Sequence, residues 1–486
     1  MNAGYLRRLR TSGALQVVRS VIELVADWIN NRQCKKVVID YSSPNIGKLF
    51  HIGNLRSTLI GRFLAKVHRA VGNQVVSLNY LGDWGTQFAL IATYWPKVRP
   101  SDSFWDSCSD VDKIRAITDC YIVANKKRKL DEEFQVEVRK NFAEMENGII
   151  NADFSSPIMQ FWKDIKEISV RHLKHFYDLL NIEFDRWQYE SENVIAARRL
   201  VADLIKNNTV RRTVNGLWIV DIPNDDLNEE IASILNRDKI YHADRYLYVV
   251  DRAQRKHFEA LRVILTKIGR DDLALKVEHI PYGRVKGLST RLGRTEIVEE
   301  IISRGKELAL RFMKNSKTFK LSSEEEEEVA HKLSLSTVIF NEVKRAKSAE
   351  YEFSFKNAFD LDHNNALSLQ VRHSRLCSIE AKNHELLPLL DKCDSIPEET
   401  PDFSKLAVHL SQFSTVIHAA VEQSESCHLV VYLLELSHHI GKVTSQARIK
   451  GQPVEVAVPR LLLLSASRAV LNEGMSLLGA SPVTAM

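Results

Sequence analysis

Residues 37–78 read VVIDYSSPNIGKLFHIGNLRSTLIGRFLAKVHRAVGNQVVSL. The stretch starts with a short apolar run typical of a strand, and Pro44 and Gly47 then disfavour continuation of either strand or helix. Apolar residues follow at helical spacing, and a second apolar run comes after Gly72. This strand–loop–helix–strand order predicts a βαβ unit, and therefore a parallel sheet with right-handed crossovers. One face of the predicted helix carries Leu55, Leu59, Ile60, Phe63, Leu64 and Val67.

The rest of the chain continues this pattern and then changes to helices. Residues 97–165 are polar and of helical character, which predicts an insertion between two halves of the sheet. A further helix is predicted from about 254 to 268, with Gly269 at its end. From about residue 330 onward the pattern is helical throughout. Further strands are predicted at 217–220, 246–250 and near 275–277.

Composition bounds the class of protein. At about 150 residues per domain, 486 residues suggest about three domains. With 44% apolar and 27% charged residues, long disordered or collagen-like chains are excluded. The net charge of +5 (67 basic minus 62 acidic residues) permits a nucleic-acid partner without arguing for one. The six cysteines are scattered and form no CxxC pair, which predicts neither a disulfide framework nor a metal site. No apolar run reaches the roughly 18 residues that a membrane helix needs.

The N-terminal segment differs from the rest. Residues 1–22 contain four arginines and no acidic residue, a composition typical of a mitochondrial transit segment. The alternative is an ordinary basic helix start in a cytosolic protein. Without these four charges the remainder carries 5 − 4 = +1, so an RNA-binding surface would depend on local charge clustering.

The loop at residues 42–54 carries the chemistry. It lies between a predicted strand and a helix start, where ligands of open α/β sheets bind and where backbone amides favour phosphate. Gly53 permits close approach of a nucleotide, His51 and Asn54 can donate hydrogen bonds, and Lys48 supplies a positive charge. The loop is neither a GxxxxGK[ST] nor a GxGxxG motif. A polar loop with a structural histidine is the competing interpretation.

His51-Ile52-Gly53-Asn54 resembles the HIGH signature of class I aminoacyl-tRNA synthetases. The stretches 42–48, 55–58 and 79–88 resemble, more specifically, arginyl-tRNA synthetase, above all its mitochondrial form. The resemblance covers roughly residues 35–486, because later blocks follow in the family's order. These blocks are Val249-Val250-Asp251 with Gln254 and His257, the KMSKS-like loop 283–293, Leu369-Gln370 with His373 and Arg375, and the ending 477–486.

The resemblance implies an α/β fold in which a Rossmann-like parallel-sheet catalytic domain precedes an all-α anticodon-binding domain. We expect a transit segment at 1–22, a catalytic domain at 23–305 with the helical insertion at about 97–165, and the anticodon-binding domain at 306–486. Only about forty residues precede the Ser-Pro-Asn loop. The family's usual N-terminal tRNA-binding domain is therefore expected to be missing.

The implied activity is that of an arginine–tRNA ligase, which activates arginine with ATP and transfers it to the 2′-hydroxyl of the terminal adenosine of tRNA-Arg. Mg²⁺ is expected with the ATP phosphates, and no metal site in the protein itself. The implied catalytic residues are Lys48, His51, Asn54, Lys286 and Arg291. The implied ATP contacts are His51, Gly53, Asn54, His257, Ser289 and Thr290. Arginine would contact Ser43, Asn45, Asn54, Asp238 and Gln254, and tRNA would contact Gln370, His373 and Arg375.

The arginine pocket departs from the family pattern. A guanidinium requires a carboxylate, and Asp238 is assigned that role from the block Asn236-Arg237-Asp238. The family's pocket tyrosine then falls on Ile234, and the segment from Asp238 to Tyr248 is about eight residues shorter than in the family. These departures leave two alternatives: a catalytically lapsed paralogue that binds tRNA or proteins, and a class I synthetase of another specificity. The expected location is the mitochondrial matrix, with the cytoplasm as the alternative, and the expected state is a monomer without membrane contact.

Overall fold

The computed structural model describes residues 34–207, 211–212, 218–219, 228–286, 298–315, 322–352, 365–393, 397 and 400–485. The predicted transit segment lies outside these ranges. The first part of the described chain forms β1 (Lys36–Asp40), α1 (Ile52–Ala70), β2 (Gln74–Leu81) and α2 (Thr86–Tyr94). Next come the helices α3 (Asp102–Ser107), α4 (Asp110–Arg128), α5 (Glu132–Asn151) and α6 (Pro157–Leu179). These four helices lie between β2 and β3, where the sequence predicts an insertion.

The middle of the chain completes the sheet. It contains β3 (Arg186–Tyr189), a 3₁₀ turn (Glu190–Asn193), α7 (Val194–Lys206), β4 (Arg211–Arg212), β5 (Trp218–Ile219) and α8 (Asn228–Tyr241). Then follow β6 (Arg245–Asp251), a 3₁₀ turn (Arg252–Gln254), α9 (Arg255–Lys267), α10 (Asp271–Lys276), β7 (Val277–Tyr282) and β8 (Val285–Lys286).

Helices dominate the last part of the described chain. They are α11 (Val298–Asn315), α12 (Ser323–Val343), α13 (Ala366–Lys382), a 3₁₀ segment (His384–Lys392), α14 (Pro401–Ser411), α15 (Phe413–Gln423), α16 (Cys427–Gln446) and α17 (Val454–Leu478). The two-residue strand β9 (Tyr351–Glu352) follows α12 and pairs in parallel with β8. Among the described helices, none is both long and apolar enough to cross a bilayer.

The main sheet has five strands in the order β3-β2-β1-β6-β7, and every neighbouring pair is parallel. Because the chain leaves β1 toward β2 on one side and β6 lies on the other, the strand order reverses at β1. Ligands of open α/β sheets bind at such a reversal, beyond the carboxyl ends of the strands. The predicted βαβ unit and the parallel sheet are confirmed.

The apolar face of α1 explains why this helix packs on the sheet. All six apolar residues predicted for that face are at most 4% exposed. The helix ends at Ala70, and Gly72 follows with a φ of 87°, a conformation that costs glycine little. The helix predicted before Gly269 is also found, as α9.

Two predicted strands differ in detail. Trp218–Ile219 is a strand, but it pairs antiparallel with Arg211–Arg212 in a separate two-stranded sheet and does not join the main one. Near 275–277 the strand begins only at Val277, because Leu275 and Lys276 belong to α10. Two aspartates in the first turn of α10 favour this short helix. Leu275 is 85% exposed, whereas the prediction of a strand at this position required it to be buried.

Candidate active site

A cleft of about 270 Å³ lies beyond the carboxyl ends of β1, β2 and β6, at the point where the strand order reverses. Four of the predicted substrate and ATP contacts line it together: Ser43, Asn45, Gln254 and His257. The remaining lining residues are Asp40, Tyr80, Gly82, Glu190, Glu230, Ser233, Arg237, Tyr248, Val250, Phe258 and Leu261. The fold therefore brings residues from widely separated segments to one polar cleft.

The Ser-Ser-Pro-Asn loop is held in an unusual conformation beside the cleft. Ser42 and Ser43 have φ values of 69° and 42°, a region that costs a non-glycine residue about 1–3 kcal/mol. Hydrogen bonds hold Ser43 there: its amide donates to Asn79 Oδ1 (3.1 Å) and its hydroxyl donates to Asp40 Oδ1 (2.6 Å). The backbone amide of Tyr80 donates in turn to Ser43 Oγ (3.1 Å). The loop is thus fixed to the ends of both β1 and β2.

Asn45 is positioned by the backbone of Gly82. The Ile46 amide donates to the Gly82 carbonyl (3.1 Å), and the Gly82 amide donates to the Pro44 carbonyl (3.2 Å). A Cβ atom at position 82 would lie only 2.0 Å from Asn45 Oδ1. Position 82 therefore has to be glycine for Asn45 to keep its place in the cleft.

A buried arginine occupies one wall of the cleft. The side chain of Arg237 is 2% exposed, and its Nη1 lies 2.7 Å from Asp40 Oδ2. The same guanidinium donates to the hydroxyl of Tyr248 (3.1 Å) and lies over the ring of Tyr80, with 4.9 Å from Cζ to the ring centroid. Burial raises the pKa of both tyrosines, which keeps them neutral. The charge of Asp40 is therefore already paired within the protein.

Two further carboxylates line the cleft, Glu190 from the turn after β3 and Glu230 from α8. The side chain of Glu230 is 35% exposed, and its Oε1 lies 3.9 Å from Nε2 of His257. Burial lowers the pKa of His257, with a further contribution from His279, so this imidazole is neutral near pH 7. These two glutamates are not among the site residues predicted from the sequence. One signal was present, because counting back from Asp238 by the missing eight residues arrives at Glu230.

Asp238 does not line the cleft, which corrects its assignment as the acid for the guanidinium of arginine. Its Oδ2 lies 2.6 Å from Nη2 of Arg270, and its Oδ1 accepts a hydrogen bond from Tyr246 (3.0 Å). Its side chain is only 13% exposed. Ile234, also on α8, is fully buried in a hydrophobic cluster with Tyr246 of β6 and Phe258 of α9, and it does not line the cleft. The helix α8 therefore presents Glu230, Ser233 and Arg237 to the cleft, one helical turn apart.

The predicted signature residues form the N-terminal cap of α1. The Gly53 amide donates to His51 Nδ1 (3.1 Å), and the His51 amide donates to Asn54 Oδ1 (3.3 Å). Burial lowers the pKa of His51, and Lys48 adds to the effect, so the ring is neutral and can accept this bond. His51 and Asn54, which the resemblance assigns to ATP binding, therefore also form the capping box that starts α1. The N-terminus of α1 also carries the positive end of the helix dipole, which attracts phosphate.

Lys48 lies against the helical insertion. Its Nζ is 4.9 Å from the ring centroid of Tyr121 in α4, and burial lowers its pKa. Lys48 is not among the residues that line the cleft. In the second predicted loop, Ser289, Thr290 and Arg291 lie outside the described residues. Of Lys286 only the backbone is described, and it pairs with Glu352 of β9.

Two of the three predicted tRNA contacts are buried. Gln370 and His373 are 0% and 1% exposed. Gln370 Nε2 donates to the Ser481 carbonyl (3.0 Å), and His373 Nδ1 lies 2.8 Å from the Val483 carbonyl. Both side chains therefore hold the C-terminal segment, which corrects their expected display on a helix surface. Arg375 is exposed.

Comparisons with known proteins agree with this architecture. Residues 18–355 match the family model described as tRNA synthetases class I (R), catalytic domain, and residues 369–486 match the DALR anticodon binding domain. The mitochondrial arginine–tRNA ligase of Saccharomyces cerevisiae is 30% identical over 481 residues, covering 94% of this chain and 73% of the relative. The probable mitochondrial arginine–tRNA ligase of Homo sapiens is 29% identical, covering 99% and 84%.

Solved structures show the same fold. The arginyl-tRNA synthetase of Thermus thermophilus superposes with a TM-score of 0.74 at 20% identity, covering 96% of this chain and 86% of that one. The enzyme of Plasmodium falciparum gives 0.72 at 21% identity, covering 94% and 78%. The match of residues 18–355 to the class I catalytic domain, together with the five-stranded parallel sheet, identifies the chain as a class I aminoacyl-tRNA synthetase. Within that class, the chain belongs to the arginyl-tRNA synthetases.

Proposed function

We propose that this chain is an arginine–tRNA ligase of mitochondrial translation. It would form arginyl-adenylate from arginine and ATP, release pyrophosphate, and transfer the arginyl group to the 2′-hydroxyl at the 3′ end of tRNA-Arg. The observation that carries the proposal is the carboxylate-rich cleft at the strand reversal of a class I synthetase fold. Both steps need positioning and charge stabilisation more than a covalent nucleophile of the protein.

The charges of the cleft fit a guanidinium. Asp40, Glu190 and Glu230 contribute three negative charges and Arg237 one positive charge, so the lining leaves a net charge of −2 when His257 is neutral. We assign recognition of the arginine side chain to Glu190 and Glu230, which line the cleft from the turn after β3 and from α8. A carboxylate binds a guanidinium through two parallel charge-assisted hydrogen bonds, which an ammonium group cannot reproduce. This geometry would favour arginine over lysine.

The polar loop would hold the reacting end of the amino acid. Ser43 and Asn45 lie in the cleft on the fixed Ser-Pro-Asn loop, and Gln254 faces them from the turn after β6. We assign to these three side chains the α-amino and carboxylate groups of arginine. The carboxylate would then lie near the start of α1, where the α-phosphate of ATP has to be attacked.

ATP would bind along the N-terminus of α1. His51, Gly53 and Asn54 would lie under the nucleotide and its phosphates, with His257 at the cleft rim. Lys48 together with Lys286, Ser289, Thr290 and Arg291 of the second loop would contact the pyrophosphate. In the described ranges no group of three or more His, Cys, Asp or Glu could hold a metal ion. We propose that Mg²⁺ accompanies the ATP phosphates, where it would neutralise phosphate charge.

The helical module would bind tRNA-Arg, with exposed Arg375 as one contact. We also propose residues 1–22 as a transit segment, a catalytic domain up to residue 305 with an insertion at about 97–165, an anticodon-binding domain from 306, and a monomer in the mitochondrial matrix. The mitochondrial names of the two relatives support the location, and the cytoplasm is the alternative.

The decisive experiment is aminoacylation of mitochondrial tRNA with labelled arginine, with lysine and glutamine as controls. We expect charging with arginine alone. No charging by a folded preparation that still binds tRNA would instead favour the lapsed paralogue. Charging with another amino acid would identify a synthetase of different specificity.

A further inference from the structure

A buried group of charged and aromatic side chains connects α1 with α12 and β9. None of its members lines the cleft. Arg56 is 0% exposed, and its Cζ lies 5.1 Å from the ring centroid of Tyr351. The hydroxyl of Tyr351 donates to Oε1 of Glu342, whose pKa is raised by burial. Within the described ranges, Arg56 Nε, Arg56 Nη1 and Glu342 Oε2 are buried without a hydrogen-bond partner. Such groups are costly to bury, so their place in the fold calls for a physical reason.

The turn between α12 and β9, residues 344–350, is the centre of this group. We refer to it as the linking turn. Arg56 Nη2 donates to the carbonyls of Ala346 and Lys347, both at 3.2 Å. Since Arg56 belongs to the first turns of α1, the linking turn is bonded directly to the helix whose N-terminus carries the ATP signature.

The same turn is bonded to the strand that leads into the second loop. The Gly283 amide donates to the Lys347 carbonyl (2.8 Å), and a Cβ at position 283 would lie 2.5 Å from the Ser348 and Ala349 carbonyls. Just beyond, Val285 of β8 pairs with Tyr351 of β9. One carbonyl oxygen, that of Lys347, therefore accepts hydrogen bonds from both Arg56 and Gly283.

Lys347 also makes the connection to the helical module. Its amide donates to Glu425 Oε2 (3.0 Å), and its Nζ donates to the Gln423 carbonyl (2.7 Å) and lies 3.3 Å from Glu425 Oε1. The two charged side chains are only 19% and 16% exposed, so water screens their attraction weakly. Nearby, Ser426 Oγ donates to the Val343 carbonyl (2.8 Å). The turn between α15 and α16 is thus bonded to the linking turn at several points.

From this arrangement we infer that Lys347 is a positioning residue that couples tRNA bound on the helical module to the geometry of α1 and β8. The inference rests on the proposed function, because it requires tRNA to bind that module. Lys347 is not among the residues that line the cleft. A small displacement of the α15–α16 turn would move the Lys347 carbonyl, and with it the hydrogen bonds of both Arg56 and Gly283. The start of α1 and the strand β8 would therefore be positioned together.

The test is Lys347→Met, which keeps the backbone hydrogen bonds and an unbranched stem of four atoms but removes the ammonium group. We expect kcat for aminoacylation, expressed per tRNA-binding site, to fall about tenfold, while the Kd and KM for tRNA change less than about twofold. Lys347→Arg should restore activity to within about threefold of the wild type, because the cation is retained. Lys332→Met is the matched control: its Nζ pairs with Glu328 on an exposed part of α12, and its loss should change nothing measurable.

A second experiment does not require aminoacylation activity. Hydrogen exchange of residues 277–286 should slow when tRNA binds to the wild-type protein, and Lys347→Met should abolish this change although tRNA still binds. Glu425→Gln should behave like Lys347→Met, and the double variant should lose no more than either single one. The inference would be overturned if Lys347→Met weakened tRNA binding as much as it lowered kcat. It would also be overturned by additive losses in the double variant, or by tRNA-induced protection of residues 277–286 in Lys347→Met. A wild type that shows the exchange effect but charges no arginine would count against the proposed function alone.

Discussion

Single charged residues decide what the cleft can recognise. Arg237 pairs with Asp40 and lies over two tyrosine rings, so one carboxylate at the end of β1 is unavailable as a bare charge. Glu190 and Glu230 line the same cleft and are the acids that we propose for the cationic substrate. Their separation in sequence is large, and only the packing of α8 and the turn after β3 over the same strand ends brings them to one place.

Glu230→Gln tests this assignment. The change keeps the size of the side chain but removes its charge, and a hydrogen bond to a charged group is worth about 1.5–3 kcal/mol. We expect the KM for arginine to rise by about 10- to 100-fold, measured by aminoacylation at varied arginine.

The matched control is Asp238→Asn, whose carboxylate pairs with Arg270 outside the cleft lining. That variant should unfold at lower temperature with an arginine KM within about threefold of the wild type. If Asp238→Asn raised the KM as much as Glu230→Gln, Asp238 would be the recognition acid after all.

Lys48 provides a second test at this scale. Burial lowers the pKa of its ammonium, and the nearby ring of Tyr121 does not neutralise its charge, so the charge can still interact strongly with a phosphate in this partly dry site. We expect Lys48→Ala to slow adenylate formation at least tenfold, measured as single-turnover consumption of ATP, while the Kd for tRNA stays within about twofold. Comparable effects on both quantities would contradict a role of Lys48 at the pyrophosphate.

At the scale of elements, α1 is the helix on which the site depends. Its cap carries the signature residues, its buried face packs on the sheet, and Gly61 allows close approach to the residue that follows β1. A Cβ at position 61 would lie 2.1 Å from Cγ of Tyr41. The closeness of helix and sheet at this point explains why glycine is tolerated within the helix, where it usually costs about 1 kcal/mol relative to alanine.

Gly61→Ala should therefore destabilise the protein although alanine is the better helix former. Overpacking of this kind costs about 1–3 kcal/mol, to be measured by urea unfolding. Gly441→Ala in α16 is the control, since its Cβ would meet only the flexible end of Arg372 (2.8 Å from Nη2). There the gain in helix propensity should leave stability unchanged or slightly higher. Equal behaviour of the two variants would show that contact with Tyr41 is not limiting.

At the scale of the whole molecule, the catalytic part and the helical module share one hydrophobic core. A single cluster of buried side chains runs from Val37 in β1 to Ala480 beyond α17. Lys66 of α1 donates to the Ser476 carbonyl (2.8 Å), and a Cβ at Gly479 would lie 3.0 Å from Nη1 of Arg62. The C-terminal segment is clamped further by Gln370 and His373. The two parts are therefore expected to unfold together.

The C-terminal clamp predicts a pH-dependent contribution to stability. Burial lowers the pKa of His373 and Arg468 acts in the same direction, whereas the hydrogen bond to the Val483 carbonyl and the charge of Glu380 act against it without reversing the shift. The unfolded chain takes up this proton near pH 6.5, whereas the folded chain does so only at lower pH. The stability contributed by the clamp is thus fully present above about pH 6.5 and is lost as the pH falls through the lower folded-state pKa.

A truncated chain ending at Leu478 isolates this effect, because it exposes His373 and removes the Val483 carbonyl. We expect the truncation to lower Tm at pH 7.5, and the difference from the full chain to shrink as the pH is lowered to 5.5. Thermal unfolding followed by circular dichroism measures both chains under matched conditions. A difference that stayed constant with pH would exclude His373 as its source.

The sequence by itself determined the βαβ unit, the parallel sheet, the buried face of α1 and the family, because periodicity, turn residues and ordered motifs are local signals. It also predicted Ser43, Asn45, Gln254 and His257 as site residues, and the structure places these four around one cleft. Only the tertiary structure decided that Glu190, Glu230 and Arg237 line the cleft. It also decided that Asp238 pairs with Arg270 outside the cleft lining, and that Gln370 and His373 are buried. The physical reason is that charge pairing and burial depend on neighbours distant in sequence, such as the C-terminal carbonyls that hold His373.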